Sequence, residues 1–185
     1  MTIAGKNVMI LVANGFDESQ MTEIQKALTK VKANIKTIAP EQGLVNGWQG
    51  SGWGHYFPVD TQINEALGSD YDILVVPGGE RGTAKLKTNL HTRRIISHFL
   101  EAGKPVAAVA SGVGLLALTN KVSGLRLSAS TDVHEVLAAA GVIVSEDTQE
   151  TDANVLTASG SDIQAWVDGA MELFATAEDD IKQAA

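Results

Sequence analysis

The chain contains no cysteine. That absence removes disulfides, thiolate metal sites and cysteine nucleophiles together. Basic residues are also few: 14 Lys and Arg stand against 22 Asp and Glu, a formal net charge of -8. No basic stripe exists to displace counterions from phosphates, which excludes nucleic acid as a partner and an anionic membrane surface with it. Acidity of this size serves solubility. No apolar run is long enough to span a bilayer, and the first residues lack the charged, apolar and small-residue order of a signal peptide. A cytoplasmic location is expected. The four histidines, His55, His91, His98 and His134, show no metal-ligand spacing. His91 and His98 sit about two helical turns apart, too far for a shared ion. Neither a metal nor another cofactor is expected.

What is present describes an ordinary globule. The 185 residues are 44% hydrophobic and 19% charged, enough for one domain spanning residues 1–185 with a real core. Apolar runs of strand length fall at Val8–Ala13, Asn34–Ala39, Ile73–Pro77, Val106–Ala110, Val142–Ser145 and Asn154–Thr157. Amphipathic segments of helix length fall at Ser19–Val31, Thr88–Ala102, Gly112–Thr119, Asp132–Ala140 and Asp162–Ala177. Their alternation predicts an α/β protein with a mostly parallel sheet covered on both faces. Ser19 is placed to cap the first helix, and Gly103 and Gly141 to end the second and fourth. The tail from Glu178 to Ala185 either extends the last helix or frays.

One segment breaks the alternation. Between Gly43 and Asp60 stand Gly47, Gly50, Gly52 and Gly54, together with Trp48, Trp53, Tyr56 and Phe57, in a chain only 5% aromatic. It reads as a hairpin or long loop. Its rings either pack back onto the sheet or form a subunit interface or pocket lip, with Trp48, Trp53, His55 and Tyr56 as the candidates.

In an open parallel sheet, ligands bind beyond the carboxyl ends of the strands. The run from Lys104 to Ala117 reads as a buried strand entering a helix through a sharp turn, the kind that mounts a nucleophile. Strand and helix pack closely at such an elbow and want small residues two before and two after the tip. Ala110 at the tip places Ala108 and Gly112 there. Ser111 at the tip would place bulky Val109 and Val113 there. The tip is therefore Ala110, which has no nucleophilic atom, and no base is evident for Ser111. Gly78 and Gly79 follow an apolar strand and could aim amides at a negative oxygen, or could form only a tight strand exit.

Four blocks in order then carry a resemblance: Gly15-Phe16-Asp17-Glu18, the run Asp72–Gly79, the run Gly103–Gly112, and the run Asp152–Ala158. Over residues 6 to 175 the chain resembles the ThiJ/PfpI family, which includes the parkinsonism-associated protein deglycase and the PfpI-type intracellular proteases. Trp53-Gly54 followed by Pro58-Val59-Asp60 is similar to the PfpI branch. The resemblance implies a flavodoxin-like three-layer sandwich of the class I glutamine amidotransferase type. It also implies a homo-oligomer, either a dimer or a hexamer of dimers, and glyoxalase, deglycase, peptidase or holding-chaperone activity. The family's elbow cysteine falls on Ala110, the histidine after it on Ser111, and the supporting glutamate on Gln20. All three differ, while Gly78 and Gly79 match the family's oxyanion element.

Loss of the cysteine alone would fit an engineered Cys→Ala change. Loss of its two partners as well favours a naturally degenerate site. The expectation is a non-catalytic binding, assembly or stress-related protein, a partner of its own copies or of active paralogues. Two alternatives stand beside it. One is an enzyme rearranged around Ser111, drawing on His55, His134, Glu18 or Asp17. The other is a module that binds a small anion in the vacated pocket near Gly78, Gly79, Ser111 and Gly112.

Overall fold

A computed structural model describes residues 3–184, with side chains through residue 177. Seven strands form the main sheet: β1 (Asn7–Leu11), β3 (Asn34–Ala39), β6 (Thr61–Gln62), β7 (Ile73–Val76), β8 (Val106–Val109), β11 (Gln149–Asp152) and β12 (Val155–Ala158). Their order across the sheet is β11-β12-β8-β7-β1-β3-β6. All neighbours are parallel except β11, which returns antiparallel against β12. The five central strands follow the doubly wound order of flavodoxin-like folds. The order reverses between β3-β1 and β7-β8, so a crevice opens at the carboxyl ends of β1 and β7.

The strands read as continuous apolar runs because both faces are covered. Met9, Leu11, Leu74, Val76 and Ala108 point to one side, beneath α3 (Leu90–Glu101) and the 3-10 helix Ala110–Thr119. Val8, Ile10, Val75, Ala107 and Val109 point to the other, beneath α1 (Glu18–Lys30) and α5 (Ile163–Ala184). Met21, Ile24 and Leu28 supply the buried stripe of α1, and Trp166, Ala170 and Phe174 that of α5. This is a flavodoxin-like α/β sandwich.

Several elements differ from the sequence reading. Helix α2 (Glu80–Thr88) follows Gly79 directly and was not expected. Asn89 then caps α3, its side chain accepting from the His91 amide, so the helix expected from Thr88 starts at Leu90. The cap of α1 is Asp17, not Ser19: Asp17 Oδ1 accepts from the Gln20 amide at 3.1 Å, and the Ser19 hydroxyl donates to the same oxygen. Gly112–Thr119 is a 3-10 helix beginning at Ala110. Asp132–Ala140 divides into a 3-10 turn, Thr131–Val133, and the short α4 (His134–Ala139). Val142–Ser145 does not join the main sheet. Only β10 (Ile143–Val144) forms there, paired with β9 (Arg126–Leu127), and Ile143 is 53% exposed. Helix α5 continues past Ala177 to Ala184, while Ala185 lies outside the described residues, as do Met1 and Thr2.

The glycine- and aromatic-rich segment folds as a hairpin of β4 (Leu44–Trp48) and β5 (Trp53–Pro58). Together with β2 (Phe16–Asp17) it makes a separate three-stranded sheet over the start of α1. Part of it packs inward: Phe57 meets Phe16 edge-on at 5.6 Å, and Trp48 lies beneath the Arg81 guanidinium at 4.3 Å. Trp53 and Tyr56 remain 54% and 67% exposed. No helix among the described residues is long and apolar enough to cross a membrane.

Candidate functional site

The elbow follows β8. Ala110 has φ 53°, the left-handed region that a residue with a Cβ enters only under strain. The turn closes tightly because Gly112 presses on the preceding crossover. A Cβ on Gly112 would lie 2.5 Å from the Pro77 carbonyl oxygen. Ala110 is thus the tip by geometry, and its side chain is a methyl group.

The surroundings of that methyl are already filled. Gln20, on the first turn of α1, is 4% exposed. Its Oε1 accepts from the Gly78 amide at 2.7 Å. The Gly78 N–H, one of the two amides expected as oxyanion donors, is therefore engaged within the chain. Gly78 and Gly160 both crowd the tip, since a Cβ on either would stand 3.0 Å from the Ala110 methyl. Gly79 has φ 104° and caps α2 without a side-chain bond.

Ser111 points away from this group. It is buried, and its Oγ lies 3.2 Å from Thr83 Oγ1 on α2. No imidazole or carboxylate bonds Ser111 among the described residues. His134 donates from Nε2 to the Ala129 carbonyl at 2.9 Å. Asp17 is held as the helix cap. Ser111, His134 and Asp17 therefore bond in separate places, while Glu18 and His55 share one cluster.

One of those clusters is more elaborate than the sequence suggested. Glu18 lies one residue past the cap and is 7% exposed. Its Oε2 accepts from the His55 amide at 2.9 Å, and its Oε1 from His55 Nδ1 at 2.5 Å and Gln49 Nε2 at 3.1 Å. Burial pushes the Glu18 carboxyl up. The bonds from His55 and Gln49 outweigh that and hold it below its ordinary value. The hairpin makes room with glycines: a Cβ on Gly47 would meet Glu18 Oε2 at 2.7 Å, and one on Gly54 would overlap the same oxygen. The alternation of Gly47 and Gly54 with Trp48 and Trp53 was the available signal, but it does not name its partner.

A cavity of about 370 Å³ lies beside Ser111, between α2, the 3-10 helix and α4. A second, of about 390 Å³, lies between the start of α1 and the hairpin turn, bordered by Asp17, Ser19, Trp48 and Gln49. Gln20, Gly78, Gly79 and Ala110 line neither.

Fold and site together define a class: a flavodoxin-like α/β protein with a nucleophile elbow whose tip carries no nucleophile. The family follows from comparison. Residues 6–173 match the model of the DJ-1/PfpI family, and the chain belongs to that family. An uncharacterized protein of Archaeoglobus fulgidus is 28% identical over 150 residues, covering 81% of this chain and 86% of its own. General stress protein 18 of Bacillus subtilis is 28% identical over 141 residues, covering 76% and 80%. Among solved structures, the ThiJ/PfpI domain protein from Brachyspira murdochii superposes with a TM-score of 0.83 at 18% identity, covering 95% of this chain and 98% of that one. A two-domain protein of Anabaena variabilis, with DJ-1/ThiJ/PfpI-like and ferritin-like domains, also gives 0.83 at 21% identity. This chain spans 47% of its length.

Proposed function

We propose that this member of the family is not a catalyst at its elbow and acts as a cytoplasmic binding or assembly protein of stress physiology. The carrying observation is the pairing of Gln20 with the Gly78 amide behind a methyl tip. A thiolate site needs a sulfur, a hydrogen-bonding acid and a free oxyanion donor. Here the sulfur is absent, the acid is a neutral amide, and one donor is already satisfied. The stress-protein name of the Bacillus subtilis relative supports the physiological setting.

Two observations weigh against the alternatives. Among the described residues the Ser111 hydroxyl bonds the Thr83 hydroxyl, which is no base at neutral pH. The space behind Ala110 is taken by Gly78, Gly160 and Gln20, which leaves little room for a small anion. Assembly is supported by Leu44, Trp53 and Tyr56, all more than half exposed on the hairpin. Such rings suit a homo-oligomeric interface, in a dimer or a hexamer of dimers, or contact with active paralogues.

Methylglyoxal consumption by the purified protein is the test, with the expected rate equal to a protein-free control. Turnover above that control that disappears in Gln20→Ala or Ser111→Ala would overturn the proposal. Light scattering behind size exclusion reads the assembly, and Trp53→Glu with Tyr56→Glu is expected to lower the mass observed.

A further inference from the structure

The cavity beside Ser111 has a shape and a chemistry of its own. Its floor is the 3-10 helix. Three residues per turn place Ser111, Gly114, Ala117 and Asn120 in one row, and all four line the space. The long sides are apolar, with Ala84 from α2, Leu115 and Leu118 from the floor, and Val133 and Val136 from the α4 side.

The inner end is polar and buried. Ser111 and Thr83 are 6% and 8% exposed. Thr83 Oγ1 has one hydrogen but three acceptors in reach: the carbonyls of Gly79 at 3.1 Å and Glu80 at 3.2 Å, and Ser111 Oγ at 3.2 Å. If that hydrogen goes to a carbonyl, Ser111 donates to Thr83 and keeps open lone pairs. If it goes to Ser111, the Ser111 hydrogen is free to donate as well. Either arrangement leaves hydrogen-bonding capacity at the closed end of an apolar space.

No charged side chain bonds Ser111 or the Thr83 hydroxyl among the described residues. Glu80 and Lys87 stand exposed on α2 at the rim, opposite in sign, so the mouth favours neither a cation nor an anion. The overall charge of -8 further disfavours an anion.

We infer that this cavity binds a compact uncharged amphiphile, an aromatic or aliphatic body ending in one hydroxyl or carbonyl oxygen directed at Ser111. The volume is in the range of ligand sites and admits roughly ten to fifteen non-hydrogen atoms. The inference extends the binding role proposed above but uses none of the elbow residues Gln20, Gly78 or Ala110. It stands whether or not the elbow turns over methylglyoxal, and the two are tested separately.

The probe is 2-naphthol, followed by its own fluorescence and by calorimetry with the full chain. Naphthalene, which lacks the oxygen, and 2-naphthoate, which is charged, serve as comparators. Saturable one-to-one binding of 2-naphthol is expected, about tenfold tighter than either comparator, the size of one hydrogen bond. Ala84→Trp fills the space from an exposed position of α2 and is expected to abolish binding with an unchanged melting temperature. Ser111→Ala is expected to bring 2-naphthol down to the naphthalene level while leaving naphthalene itself unaffected. Absence of saturable binding, binding that survives Ala84→Trp, or a 2-naphthol preference that survives Ser111→Ala would each overturn the inference.

Discussion

Substitution of Gly54 by alanine isolates the Glu18 cluster. The new Cβ would occupy the place of Glu18 Oε2 and come within 2.7 Å of Gln49 Cγ. Gln49 is exposed and can swing aside, but Glu18 is packed under the hairpin and must give up its bonds. The bond from the His55 amide goes to a charged, buried acceptor and is worth about 1.5–3 kcal/mol. The bonds from the side chains of His55 and Gln49, both exposed, add no more than about 1 kcal/mol. Against this, replacing glycine in a strand returns roughly 0.5–1 kcal/mol through the unfolded chain. The net loss is about 2 kcal/mol, or a melting temperature lowered by roughly 4–8 °C for a domain of this size. Gly52→Ala is the control, because nothing lies within 4 Å of its Cβ and its effect should stay within about 0.5 kcal/mol. Urea unfolding of Gly54→Ala, Glu18→Ala and the double variant closes a thermodynamic cycle. With Glu18 truncated there is nothing left to displace, so Gly54→Ala should then cost little. Equal penalties for Gly54→Ala in the two backgrounds, or equal effects of Gly54→Ala and Gly52→Ala, would refute the reasoning.

Gly112→Ala drives a Cβ against the rigid Pro77 carbonyl and is expected to cost 3 kcal/mol or more, about the upper range of overpacking, measured as a lowered urea midpoint or loss of soluble protein. Ala110→Gly should relax the strain at φ 53° and stabilise by roughly 0.5–1 kcal/mol, seen as a raised melting temperature; a lowered one would count against strain at the tip. His98 accepts from Lys104 Nζ at 3.0 Å, which requires a neutral Nε2. Burial and then the Lys104 charge push its pKa below the ordinary 6.5, against a weaker pull from Glu101. The unfolded chain therefore takes up that proton first, so stability is full above pH 6.5 and is lost as pH falls through the folded value. Urea midpoints between pH 8 and pH 5 should fall less in His98→Gln than in the wild type, and parallel curves would remove the assignment. Glu18 works in the same direction at lower pH: its contribution is present above about pH 4.5 and is lost as pH falls through its depressed folded value.

The central strands were readable because burial on two faces leaves an unbroken apolar run, as at Ile73–Val76 and Val106–Val109. The elbow register was readable because only alanine and glycine fit two residues either side of the tip. Helix α2 was hidden by its composition. Leu86 is its one large apolar residue, and it packs against the body partly through Gly82, where a Cβ would meet the Ala13 carbonyl at 2.8 Å. The hairpin was visible as an interruption, yet its clasp on Glu18 spans 37 residues and has no local signature. The Ser111 cavity depends on how a helix winds, and the difference between 3.0 and 3.6 residues per turn is too small to read from ten residues.

Glu18 and Gln20 are two residues apart on the first turn of α1, and they hold different bodies. Glu18 grips the hairpin through His55, while Gln20 grips the strand exit through Gly78. The turn therefore works as a rivet joining an exposed aromatic platform to the buried elbow. A partner that lifts β5 pulls on the same helical turn that fixes the Gly78 amide. Such a partner is mechanically connected to the elbow without touching it, so the elbow can register what happens at the surface.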